Sequence, residues 1–291
     1  MRAGGDLPST SVIVPAYQAE ATLGDCLESL VGLDYPRDRI EIVCVDNDST
    51  DDTARIARSF APAVTTVHES RRGPAAARNR GVAVACGEVI AFTDADCTVA
   101  PEWLCSLVPA LADERVGVAG GRILARRPCN WVERFGERIH DHLASISQSR
   151  PATAITMNWA SRRDVLERMG GFDERFLRCQ DSELSLRMVR AGLELVYVDD
   201  AIVYHRNEST IAGLAREGYV HGYHAPAVLA LHSDYLSAFP PAITPLRRVW
   251  EALRALSSEG RPADRMLRLV FDCGKAWGAA RAAMERRNRA C

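Results

Sequence analysis

The chain has 291 residues, 47% of them hydrophobic, and its 36 Lys and Arg against 38 Asp and Glu leave a formal net charge of -2. That length suits one large domain with an appendage, and the near-neutral balance argues against a dominant nucleic-acid-binding role. The nine cysteines stand singly with no Cys-x-x-Cys pair for zinc or redox chemistry, and with neither a signal-peptide pattern nor about 18 uninterrupted apolar residues a reducing, cytoplasmic site is expected.

In chain order, apolar and β-branched runs at residues 11–15, 40–45, 64–67, 89–93, 116–119 and 195–198 predict strands, most of them short, continuous and therefore buried. Between the early runs lie helical stripes, Leu23, Leu27, Leu30 and Val31 in one and Thr53, Ile56, Ala57 and Phe60 in the next. Alternating strand and helix predicts an α/β domain with a mostly parallel sheet covered on both faces, with ligands gathered at the carboxyl ends of the strands. After His205 the pattern turns helical, and a boundary is expected near Pro240 and Pro241, giving a catalytic domain over residues 1–240 and a helical C-terminal extension over 241–291. In that extension Leu246, Val249, Trp250, Leu253 and Leu256 share one face, as do Met266, Leu269, Val270, Cys273 and Trp277.

The chemistry concentrates at strand ends. The first strand runs into Pro15-Ala16-Tyr17 and the second into Asp46-Asn47-Asp48-Ser49-Thr50-Asp51. Capping of the next helix accounts for Ser49 or Asp51 but leaves Asp46 and Asp48 for a ligand with hydrogen-bond donors or a metal-bound phosphate. Gly73 and Pro74 then open an alanine-rich helix, a phosphate-facing start assisted by Arg72 or Arg78, while Arg71 and Arg80 read equally well as a solvated face. The run ending in Phe92 delivers Asp94-Ala95-Asp96, and alternate residues of an extended chain point the same way, so both carboxylates can face one ligand. Hard oxygen donors of this kind suit Mg2+ or Mn2+. Asp181, at the start of a helix beyond Gly170-Gly171-Phe172-Asp173-Glu174, reads either as an N-terminal cap or as a general base. His205 ends the run from Leu195; a lone histidine is ordinarily structural, but at the rim that carries the D-x-D it can supply a metal nitrogen.

In their order these segments resemble the family 2 glycosyltransferases of the GT-A fold, from about Ser11 to His205. The residues carrying the resemblance are Val12 to Tyr17, Asp46 to Asp51, Gly73 to Gly81, Asp94 to Asp96, Gly170 to Glu174, Gln180 to Leu184 and His205. The resemblance implies a Rossmann-like sheet and transfer of a sugar from a nucleoside-diphosphate sugar, UDP- or GDP-linked before others, to an acceptor hydroxyl. It implies a donor pocket of Pro15, Ala16, Tyr17, Asp46, Asp48, Arg72, Arg78, Asp94 and Ala95, with Asp46 toward the base and Asp48 toward the ribose. Asp96 and His205 then match metal positions for Mn2+ or Mg2+, and Asp181 matches the base of inverting members. Gln18, Arg71 and Gln180 depart from the family's usual residues; Gln180 removes a charge beside the base and leaves the base itself intact.

Two other enzyme classes and one binding class compete. A nucleotidyltransferase is expected to carry a glycine-rich basic loop after the first strand, and a dinucleotide oxidoreductase a G-x-G-x-x-G, where this chain has Pro15-Ala16-Tyr17-Gln18. A non-catalytic nucleotide-sugar-binding relative has no need of Asp94, Asp96, Asp181 and His205 together. The arginine-rich C-terminal helices are open to three roles: packing on the catalytic domain, a homodimer contact, or peripheral contact with the inner face of a membrane.

Overall fold

Val12, Ile13 and Val14 have no solvent exposure, because the strand they form is flanked by strands on both edges and helices on both faces. In the computed structural model, which describes residues 7–239, 244–255 and 261–290, this strand is β1 (Thr10–Ala16). It is followed by α1 (Leu23–Val31), β2 (Ile40–Asp46), α2 (Thr53–Ser59), β3 (Thr65–His68), α3 (Pro74–Val84) and β4 (Val89–Phe92). The boundary expected at Pro240 and Pro241 lies outside the described residues, as do Leu256 and Cys291.

β1 pairs in parallel with β2 and β4, and β2 with β3. The register sets Ala16 against Asp46 and Ile13 against Phe92, so the loops leaving β1, β2 and β4 emerge along one rim. The chain continues through β5 (Cys97–Val99), α4 (Trp103–Leu107), β6 (Val116–Ala125), α5 (Trp131–Ile139), β7 (Trp159–Arg162), α6 (Arg163–Arg168), α7 (Gln180–Arg190) and β8 (Glu194–His205). The sheet has eight strands in the order β3-β2-β1-β4-β7-β6-β8-β5.

The sheet is less parallel than the alternation of elements predicts. β7 enters antiparallel between β4 and β6, and β5 pairs antiparallel with β8. Neither strand was expected: β5 is three residues long, and β7 reads Trp-Ala-Ser-Arg without a continuous apolar run. β3 is the exception among the continuous runs: it is an edge strand with Thr65 and His68 exposed.

Two compact units divide the chain: one runs to Arg126 and takes in His140–Arg175 and Gln180–His205, and the other comprises Arg127–Ile139, Phe176–Cys179 and the chain from Arg206 on. The first holds the sheet, with Leu23, Leu27, Trp103 and Leu104 packed on one face and Phe92, Trp159, Leu166, Phe172 and Leu184 on the other. The second is helical, adding α8 (Ile211–Leu231), α9 (Ser233–Leu236), α10 (Pro245–Ala255) and α11 (Pro262–Ala290) to α5. Its core is Val132, Phe135, Leu214, Leu267 and Phe271.

Within that helical unit, α8 and α11 meet through glycines. A Cβ at Gly218 or Gly222 would collide with the backbone oxygen of Phe271 or Lys275, and one at Gly274 or Gly278 with that of Ala215 or Tyr219. Each helix therefore carries a Gly-x-x-x-Gly face against the other, and the missing side chains let the backbones approach. No helix among the described residues is long and apolar enough to cross a membrane.

Candidate active site

The loops after β1 and β2 are laced together by backbone and short polar side chains. Gln18, at φ 50°, accepts from the Thr50 N–H at 2.7 Å and donates its own N–H to Ser49 Oγ at 3.1 Å. Asp51 accepts from the Thr53 N–H and hydroxyl and from the Glu20 N–H, and Asp52 pairs with Arg55. Burial pushes the Asp51 carboxyl up, but the Thr53 hydroxyl and these N–H groups outweigh it and hold it below its usual range. Two carboxylates of the loop are thus absorbed by local structure. Asp46 is buried with Oδ1 on the Ser49 N–H at 3.2 Å, and Asp48, in the left-handed region at φ 64°, lies 3.6 Å from His68 Nε2.

Asn47 ties the basic turn to this loop. Its Nδ2 donates to the Glu69 and Arg71 carbonyls and its Oδ1 accepts from the Gly73 N–H, at 2.7–2.9 Å. With the turn so held, Arg72 reaches Tyr17: its guanidinium sits 5.4 Å from the ring centre and donates to the Tyr17 hydroxyl at 3.2 Å. Both are exposed. Arg71 takes a different part, pairing with Glu69 and Glu174. Ala16 accepts from the Asn47 N–H at 2.8 Å, Pro15 is half-buried at the end of β1, and Ala95 is buried against the core.

The D-x-D segment is not extended. The Cys97 N–H donates to the Asp94 carbonyl at 3.0 Å and closes a turn, so its carboxylates engage different partners. Asp94 Oδ1 accepts from Arg78 Nη2 at 2.6 Å. Arg78 lies beneath the rim rather than on it: its side chain is 3% exposed, its guanidinium stands 5.8 Å from the Phe172 ring centre, and Nε and Nη1 are buried without hydrogen-bond partners among the described residues.

Asp181 lies in the first turn of α7. Burial raises its carboxyl above the usual range against the opposing pull of Arg78 and of the Ser182 N–H, which donates to it at 2.8 Å. Arg78 therefore acts on Asp94 by contact and on Asp181 through its charge. The segment before Asp181 is braced twice. Asn79 accepts from the Phe172 N–H and donates to the Phe172 carbonyl, both at 2.9 Å. Arg187, paired with buried Glu183, donates to the Met169 and Gly171 carbonyls, clamping a turn whose Gly170 and Gly171 both have positive φ. Gln180 is buried, its Oε1 without a partner among the described residues.

Asp96 meets His205 because β5 and β8 pair with Cys97 opposite His205. His205 Nε2 is 3.4 Å from Asp96 Oδ2, and one donor atom each of Asp96, Cys97 and His205 lie within 4.8 Å of one another. Burial pushes the Asp96 carboxyl up, but the charge and hydrogen bonding of His205 outweigh it and hold the group below its usual range. Burial, with Asp96 and Asp94 nearby, drives the Cys97 thiol well above its ordinary value, and its soft sulfur is the poorest match of the three for a hard cation. The Asp96 carboxylate and the His205 imidazole are the donors that suit Mn2+ or another hard divalent ion. His140 packs edge-on against His205, ring centres 4.9 Å apart, a partner that no local pattern in the sequence announces.

The profile of Glycosyl transferase family 2 matches residues 11–170. Glycosyltransferase AglE of Haloferax volcanii is 31% identical over 205 residues, spanning 68% of this chain and 67% of the relative. Probable glycosyltransferase YdaM of Bacillus subtilis is 30% identical over 228 residues, which span 70% of this chain and 52% of that protein. Among solved structures, mannosyltransferase PcManGT from Pyrobaculum calidifontis, in complex with GDP-Man and Mn2+, superposes with a TM-score of 0.69 at 24% identity, covering 96% of this chain and 88% of that one. S. aureus TarS 1-349 in complex with UDP-GlcNAc gives 0.58 at 15% identity, covering 94% of this chain and 92% of that one. At such identities the structures speak to fold, and the mixed sheet with flanking helices is the GT-A fold the motifs imply. The chain belongs to glycosyl transferase family 2 and is a glycosyltransferase of GT-A architecture.

Proposed function

We propose that this glycosyltransferase moves a sugar from a UDP- or GDP-linked donor to an acceptor hydroxyl in a single displacement with inversion, assisted by a divalent cation. The observation that carries this reading is the pair of polar groups at the sheet rim: Asp96 beside His205 at 3.4 Å, and Asp94 beside Arg78 at 2.6 Å with Asp181 within reach of the same guanidinium's charge. The first pair suits a hard metal ion. The second supplies a half-buried carboxylate, Asp181, for a proton.

In this reading Asp46 accepts from the nucleobase and Asp48 lies toward the ribose. Tyr17 and Arg72, already in contact, line the exposed side of the donor, and Pro15, Ala16 and Ala95 offer backbone. Asp96 and His205 would hold the cation, which when bound neutralises charge on the departing diphosphate. Asp181 takes the acceptor proton as the hydroxyl oxygen attacks the anomeric carbon and the bond to the diphosphate breaks; burial favours proton uptake by raising its basicity. Arg78 positions Asp94 and limits that rise. The GDP-Man and Mn2+ bound by PcManGT and the UDP-GlcNAc bound by TarS support the choice of donor class and of a metal.

Incubation with UDP- and GDP-sugars and Mn2+ is expected to release nucleoside diphosphate, slowly to water and faster with a suitable acceptor. Asp181→Asn is expected to lower transfer by roughly 10²–10⁴-fold, the usual contribution of a positioned base, with donor affinity unchanged. Wild-type transfer by that variant would remove Asp181 from the base role.

A further inference from the structure

We propose that the last two helices form a docking surface for an anionic lipid bilayer. On α10, Leu246, Trp250 and Leu253 recur at helical spacing on one face and are 77%, 59% and 49% exposed, while Ala252 on the opposite face is buried. On α11, Met266, Trp277 and Met284 recur at intervals that keep one face, and Trp277 is 69% exposed. Single exposed apolar side chains are ordinary; aligned stripes that include two tryptophans are not.

Charge identifies the occupant. Residues 241–291 hold eleven Arg and Lys against five Asp and Glu, in a chain whose net charge is -2. Arg247 and Arg254 run along one side of the α10 stripe; Arg247 pairs with Glu251 at 3.1 Å, and the Arg254 guanidinium lies 4.3 Å from the centre of the Trp250 ring. A second copy docking through this face would set the cationic segment against itself. An anionic headgroup layer answers the arginines while the acyl boundary takes Trp250 and Leu253, tryptophan being favoured at that depth. Because no described helix is long and apolar enough to span, the helices would lie on the surface.

Sedimentation of the full chain with extruded vesicles tests it. Binding is expected to vesicles of phosphatidylcholine mixed with phosphatidylglycerol, to be absent with phosphatidylcholine alone, and to fall as salt is raised. The double substitution Trp250→Ser with Leu253→Ser is expected to cut partition at least about tenfold through lost apolar burial, with an unchanged circular dichroism spectrum. Arg247→Gln with Arg254→Gln is expected to do so by about tenfold or more, since each charge near an anionic surface is worth about fivefold. Binding indifferent to lipid charge, variants that bind as the wild type does, or no binding at all would overturn the proposal. So would a dimer in sedimentation velocity that the Trp250 and Leu253 substitutions dissolve while vesicles are ignored.

Discussion

Arg78 donates from Nη2 to Asp94 Oδ1 at 2.6 Å while its side chain is almost wholly out of solvent. A buried cation in contact with one site carboxylate and acting by charge on a second, Asp181, sets the electrostatics of the rim from below.

That arrangement makes Arg78 testable through pH. In the proposed base role Asp181 must be ionised, so activity is expected to fall as pH drops through its raised pKa. Arg78 pulls that pKa down; Arg78→Gln is therefore expected to move the acid limb of the kcat/KM profile to higher pH and to cost roughly 10- to 100-fold at neutral pH. Arg78→Lys should return the limb toward its original position without restoring full activity, because an ammonium lacks the planar fork of a guanidinium. An unmoved limb in Arg78→Gln would leave Arg78 a packing role only.

His142 predicts an acid-sensitive step in stability. Its Nδ1–H donates to the Gly121 carbonyl and its Nε2 accepts from the Ile155 N–H, so the fold requires the neutral ring, and burial lowers its pKa from 6.5 to about 4. The folded value lies below the unfolded one, so this contribution is present above pH 6.5 and is lost as pH falls toward about 4. It amounts to at most about 3 kcal/mol. Urea unfolding measured across that window should show the loss, and it should be absent in His142→Asn, with the residue's ring resonances remaining those of neutral imidazole until about pH 4.

The α8–α11 contact predicts opposite outcomes for glycines in different settings. Gly222→Ala places a Cβ against the Lys275 carbonyl and is expected to destabilise the helical unit by about 1–3 kcal/mol through overpacking. Gly24→Ala in α1, where a Cβ meets nothing within 4 Å, is expected to stabilise by roughly 0.5–1 kcal/mol. Thermal unfolding of the two variants checks both signs; a neutral Gly222→Ala would mean the helices separate at little cost.

What could be read in advance follows from range along the chain. Buried parallel strands announce themselves as continuous apolar runs, so β1, β2 and β4 and the acids at their ends were legible. β5 and β7 were not, being short and partly polar, and without β5 the register that sets His205 opposite Cys97 has no local trace. Arg78 belongs to a helix start that reads as phosphate-facing, yet α3 turns it inward to Asp94, a partner sixteen residues away. Asp94 and Asp96 were expected to point together from an extended segment; a single hydrogen bond from the Cys97 N–H turns the chain between them. The paired Gly-x-x-x-Gly faces of α8 and α11 are visible in the sequence only once the two helices are known to be neighbours.

The most direct test is Mn2+ uptake followed by electron paramagnetic resonance, with and without UDP or GDP. Asp96 and His205 are predicted to bind Mn2+ weakly alone and tightly when the diphosphate supplies further oxygens, with Asp96→Asn or His205→Ala lowering the diphosphate-dependent affinity by roughly 10- to 100-fold. Equal uptake by wild type and both variants would contradict a metal site at these two residues and, with it, the proposed placement of the donor diphosphate.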